Sequence, residues 1–192
     1  MRMFKRSFNE LKSVQCIAVT GVLVALYIVI KTYTTIDISP PILRFNFAYI
    51  ALAMIGMLYG PVVALIAAIP CDLIGAIFRG GGILWGLTPV YMFQGLVYGV
   101  FLYGFRAQKS FWKNAKLVIA QAIVIFVSQM TLNTLVLYFY GFIGANETSA
   151  IPVITMRVTK NLIEFPVSVI LVYAVLVSFG EAHRRVFGRT KP

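Results

Sequence analysis

The chain has 192 residues, 60% of them hydrophobic and 12% charged, with a net charge of +11 from 17 Lys and Arg against 6 Asp and Glu. Soluble domains carry roughly a quarter charged residues, and a globule of this length has too little interior to hide so much apolar side chain. A soluble enzyme, a disordered chain and a disulfide-stapled secreted module are therefore excluded, which leaves a multi-pass membrane protein.

A bilayer core of roughly 30 Å needs about 17–25 apolar residues per helix. Met1 to Ser13 is basic and precedes an apolar run, as a signal peptide does. The run Val14–Ile30 is long, however, and Lys31-Thr32-Tyr33 lacks the small residues of a cleavage site, so it reads as a retained first span over 14–30. Inside it Gly21 and Ala25 form a small-xxx-small pair at which another helix can approach closely. Residues 31–44 read as a loop, because Pro40-Pro41 breaks any helix. A second span over 45–58 is short for a bilayer and suits a position tucked against neighbours. Gly60-Pro61 turns the chain into a third span over 61–78, with a kink expected at Pro70. Arg79-Gly80-Gly81-Gly82 opens a loop that runs through Thr88. A fourth span over 89–105, a basic loop over 106–116 and a fifth span over 117–141 follow. After a loop through Gly144, Asn146 and Glu147 comes a sixth span over 155–179 and a basic tail. The expectation is an all-α integral membrane bundle of six transmembrane helices, forming a single membrane domain over 1–192.

Six spans place both termini on one side. Arg2, Lys5, Arg6 and Lys12, then Arg106, Lys109, Lys113 and Lys116, then Arg184, Arg185, Arg189 and Lys191 all fall on that side. Bases collect in cytoplasmic loops, so both termini are expected to be cytoplasmic, and the basic balance points to topology rather than to nucleic acid. The remaining bases, Lys31, Arg44, Arg79, Arg157 and Lys160, fall at or near the external ends of spans. Singly, each could be a snorkelling helix-end residue. As a set they run against the topology bias and would make an outward-facing basic pocket for an anionic solute.

Arg157, Lys160, Asn161 and Glu164 lie at i, i+3, i+4 and i+7, on one helix face. A charged stripe must face the bundle or a water-filled cavity. It is either an internal network, Lys160 with Glu164 and Arg157 with Asn161, or a ligand lining. Asp72 lies about 11 Å of helix rise below Arg79. It would make a salt link to Arg79, Arg157 or Lys160, or accept hydrogen bonds from a ligand's heterocycle. Gln121, Ser128, Gln129 and Asn133 on the fifth span suit interhelical hydrogen bonding, with Asn133 the better candidate for a ligand contact. Trp85, Tyr91, Phe93, Tyr138 and Tyr140 fit an aromatic belt, and a planar ligand would also use such faces. There is no Walker A loop, HExxH, GxSxG or CxxC; Cys16 and Cys71 lack metal-ligand spacing, and the lone His183 lies in the tail. No metal, cofactor or catalytic group is expected.

Several segments resemble the S components, the substrate-capturing membrane subunits, of energy-coupling factor vitamin transporters. They are Leu43-Arg44-Phe45-Asn46-Phe47, Leu58-Tyr59-Gly60-Pro61-Val62-Val63, Asp72-Leu73-Ile74-Gly75, the loop 79–88, Gly95-Leu96-Val97-Tyr98-Gly99 and Arg157-Val158-Thr159-Lys160-Asn161-Leu162-Ile163 with Phe165-Pro166. The last stretch resembles the folate-specific type. The resemblance implies a bacterial cell-membrane bundle that binds a vitamin near its external face, with the loop 31–44 as a gate and no chemistry of its own. It also implies a transmembrane coupling protein and two cytoplasmic ATPases as partners. The coupling protein would dock on the first helix, where Gly21 and Ala25 take the places of the family's Ala-xxx-Ala pair.

Folates carry a glutamate tail with two carboxylates, a benzoyl ring and a pterin. The expected assignment gives Arg157 and Lys160 to the carboxylates, helped by Arg79 or Arg44. Asp72 and Asn133 go to pterin donors, Trp85 and Phe47 to stacking, and Asn161 to the same lining. The alternatives are an S component for riboflavin or thiamine, which need fewer external bases, and an integral membrane enzyme acting on lipid head groups.

Overall fold

A computed structural model describes residues 2–39, 43–78, 84–103, 110–143 and 150–187. The described chain is nearly all helical. In order it runs α1 (Arg2–Glu10), α2 (Val14–Tyr33), β1 (Ile36–Ser39), β2 (Leu43–Phe45), α3 (Tyr49–Tyr59), α4 (Pro61–Phe78), α5 (Leu87–Leu102), α6 (Ser110–Ala122), a π-helical stretch (Ile123–Leu132), α7 (Asn133–Phe139) and α8 (Ala150–Phe187). Among the described residues four stretches are long and apolar enough to cross a bilayer: Val14–Tyr33, Pro61–Phe78, Asn114–Phe139 and Pro152–Phe179. Two apolar helices, α3 and α5, are shorter.

Packing explains the short ones. At 1.5 Å per residue, α3 is only about 16 Å long. It is apolar all round, and such a helix must be buried all round. Nine of its residues are buried, with Ala51, Leu52, Ala53 and Ile55 fully so. It is the centre of the core, held between α2, α4, α5 and α8. Glycines let these helices close up. A Cβ on Gly99 would stand 2.2 Å from Pro61 Cα, one on Gly95 2.5 Å from the Ala64 carbonyl oxygen, and one on Gly56 2.8 Å from the Gly99 nitrogen. The Gly95–Gly99 pair, one turn apart, is therefore the seam on which α5 lies against α4. At Gly60 the chain turns with φ of 85°, which only glycine adopts without strain.

Three expectations change. The segment before the first span is a helix of its own, α1, pinned by Ser7: its hydroxyl donates to the Tyr59 carbonyl at 2.7 Å and accepts from the Val62 N–H at 3.0 Å. The segment 31–44 is not simply a loop, and the fold is not strictly all-α. Helix α2 continues to Tyr33, and β1 and β2 pair antiparallel, Ile36 opposite Phe45 and Asp37 opposite Arg44. The apolar–polar alternation of Ile36-Asp37-Ile38-Ser39 and of Leu43-Arg44-Phe45-Asn46 is strand periodicity, and the two prolines fall between the strands. The expected fifth span, the long stretch Asn114–Phe139, is not uniform α-helix but winds as a π-helix over Ile123–Leu132. Helix α4 runs on through Pro70 and α8 through Pro166.

Candidate functional site

The polar stripe of α8 faces inward. Arg157, Asn161 and Glu164 are 7%, 2% and 6% exposed, while Leu162 and Ile163 on the opposite face are about 60% exposed. This sorting is what an i, i+3, i+4, i+7 pattern produces when the apolar face is left for lipid. Lys160 pairs with Glu164 at 2.6 Å, and its ammonium lies 5.3 Å from the centre of the Phe45 ring. Through that contact the β1–β2 ribbon rests on the polar face of α8.

Arg157 turns to the long stretch Asn114–Phe139. Its Nε donates to the Thr134 hydroxyl at 3.0 Å, and its Nη2 donates to the Asn133 side-chain oxygen at 3.1 Å and to the Gln129 carbonyl at 3.4 Å. Asn133 in turn donates to the Gln129 side chain at 3.5 Å. Three acceptors, from the π-helical stretch and α7, fix the plane of the guanidinium. The other polar residues of this stretch hold helices together. Gln94 donates to Ser128 at 2.9 Å and Tyr98 to Gln121 at 2.6 Å, both fully inside.

Asp72 forms a second cluster, and among the described residues its charged partner is Lys31, not Arg157 or Lys160. Lys31 lies 3.3 Å from Oδ1, and the Thr88 hydroxyl donates to Oδ2 at 2.8 Å. Both charged side chains are only 7% exposed. The lysine also lies 4.8 Å from the Tyr91 ring centre and 5.6 Å from that of Tyr27. Gly75 explains the choice. A Cβ there would stand 2.7 Å from Lys31 Cδ, so the glycine leaves a channel for the lysine stem down α4 towards Asp72. The signal was present in the sequence: Asp72 and Gly75 are three residues apart and share a face, and Lys31 ends the neighbouring span. What sequence reasoning missed was the pairing of α2 with α4, and with it Lys31 and Thr88 as partners of the carboxylate.

The remaining expected residues are dispersed. Arg44 is exposed on β2, and Phe47 is half-buried and packed against the core. Trp85 is 66% exposed beside Gly86, whose N–H donates to the Tyr140 hydroxyl at 3.3 Å. Arg79 lies outside the described residues. Gly21 and Ala25 are both exposed on α2, and a Cβ added at Gly21 would meet nothing within 4 Å. Among the described residues no cluster of His, Cys, Asp and Glu is suited to a metal ion.

The family model for the substrate-specific component of ECF transporters matches residues 15–176. The chain belongs to this family. The substrate-specific component described here is 30% identical to the folate transporter FolT of Leuconostoc mesenteroides over 157 residues, 81% of each chain. It is 28% identical to FolT of Clostridium novyi over 164 residues, 85% of this chain and 88% of the relative. Its fold is similar to a crystal structure of FolT bound with folic acid, with a TM-score of 0.74 at 25% identity, over 85% of this chain and 93% of that one. The clusters around Arg157 and Asp72 are thus parts of a membrane transport subunit.

Proposed function

We propose that this substrate-specific component captures folate and delivers it across the cell membrane as the binding subunit of an energy-coupling factor transporter, with no enzymatic activity of its own. The observation that carries the reading is the buried polar face of α8, with Arg157, Lys160 and Asn161 turned inward, in a chain whose relatives are folate transporters. Arg157 and Lys160 take the glutamate-tail carboxylates through charge-assisted hydrogen bonds. Arg79 or Arg44 assists, Arg44 from β2. Asp72 and Asn133 accept from the pterin's donors, Asn161 completes the polar lining, and Phe47 and Trp85 supply flat faces. The β1–β2 ribbon, seated on α8 through Phe45 and Lys160, is the gate.

The subunit crosses the membrane six times as one domain, with α3 and α5 as the short spans and both termini cytoplasmic. The twelve bases that fall on that side support this arrangement. A transmembrane coupling protein docks on the Gly21–Ala25 face of α2, and two cytoplasmic ATPases supply the work. Mass spectrometry of the ligand that co-purifies from cells, followed by calorimetry with folate, riboflavin and thiamine, tests the function. Folate binding that weakens at least tenfold in Arg157→Glu supports the assignment. Riboflavin or thiamine as the bound species, with no folate affinity, refutes it.

A further inference from the structure

The segment α1 has a role that substrate capture leaves unused. Ser7 is fully buried and sets the roll of the helix: besides its bonds to Tyr59 and Val62 it accepts from the Val63 N–H at 3.3 Å. With α1 held there, Phe4 and Phe8 fall roughly 60° and 100° round the helix from Ser7, and Lys5 roughly 160°. The two rings are 44% and 58% exposed, one turn apart on one edge. Lys5 is exposed beside them, Arg6 is exposed on the far side of the helix, roughly 160° from both rings, and Lys12 is exposed just after α1. A groove of about 360 Å³ runs between α1 and the start of α4, lined by Phe4, Lys5, Phe8, Asn9 and Val62. Only Leu11, Lys12 and Ser13 separate α1 from the first long apolar helix. That fixes its height at the end of a span, where lipid head groups lie.

We propose that α1 is an interfacial anchor that binds anionic phospholipid of the adjoining leaflet. Phe4 and Phe8 enter the boundary between acyl chains and head groups, and Lys5 and Lys12 meet lipid phosphates. A short helix with an aromatic edge and a basic flank is the pattern of such anchors. The excess of positive charge selects anionic over neutral lipid. Its position at the end of a span favours lipid over a soluble partner as the occupant. Because Ser7 ties α1 to the α3–α4 turn, the anchor is rigidly joined to the core rather than hung on a tether.

The test places Phe8→Trp in a chain with Trp85→Phe and Trp112→Phe, reconstituted in nanodiscs of phosphatidylcholine with or without phosphatidylglycerol. Brominated lipids then report contact as quenching. Strong quenching in the phosphatidylglycerol discs is expected, falling to the pure phosphatidylcholine level in Lys5→Glu with Lys12→Glu. Water-like emission without quenching in both discs overturns the proposal. So does quenching indifferent to phosphatidylglycerol, or shielding that arises only when the energising subunits are added. Hydrogen exchange of amides 3–11 in the unsubstituted chain, slower in phosphatidylglycerol discs if the anchor is real and equal in both if it is not, decides the matter should the tryptophan variant fail to fold.

Discussion

Replacing Lys31 by Met removes a buried ammonium and leaves the Asp72 carboxylate, 7% exposed, with the Thr88 hydroxyl. At 3.3 Å and an effective dielectric near 20, the lost attraction is about 5 kcal/mol. Removing one member of a buried pair destabilises by about 3–5 kcal/mol, because a lone charge remains inside. For a chain of this size that corresponds to a fall in Tm of about 6–20 °C, at about 2–4 °C per kcal/mol. Asp72→Asn alone strands the lysine against Tyr27 and Tyr91 and should also be costly. The double variant removes both charges, keeps the amide within reach of Thr88, and should recover to within about 1–2 kcal/mol of the original chain. Cys16 and Cys71 are buried and free, so a thiol-reactive fluorophore reads unfolding in detergent without added labels. A Tm for Lys31→Met equal to that of the parent refutes the reasoning. So do losses in the two single variants that simply add in the double.

Gly75→Val fills the channel of the Lys31 stem; it should lower Tm much as Lys31→Met does and add little on top of it, measured by the same thiol assay. Gly99→Ala drives a Cβ into Pro61 Cα backbone, so a loss of about 3 kcal/mol or more is expected, seen as lower Tm and poorer recovery of folded protein. Ser7→Ala leaves the Tyr59 carbonyl and the Val62 and Val63 N–H groups short of a partner; it should destabilise by about 1–2 kcal/mol and speed hydrogen exchange over 2–10 and 59–63. Gly21→Leu projects into open space, so thermal stability and folate binding should hold while co-purification with the coupling protein and uptake into vesicles fall; uptake at the parent rate removes this face from the docking role.

The amino-acid sequence alone determined the membrane class, because a charge content of 12% and long apolar runs leave no soluble alternative. It also determined the inward face of α8, since spacing by three and four residues settles which side chains share a side. The helix start at Pro61 follows from the Gly60-Pro61 turn, which acts locally. The partners of the buried charges were decided by the tertiary structure. Asp72 takes Lys31 because α2 lies beside α4 and Gly75 leaves room for the stem, and Arg157 meets Thr134 and Asn133 because α8 packs against the stretch Asn114–Phe139 that carries them. Neither pairing has a local signature. A salt link depends on which helices become neighbours, and side chains 41 residues apart in the chain, such as Lys31 and Asp72, meet only once the whole bundle has packed.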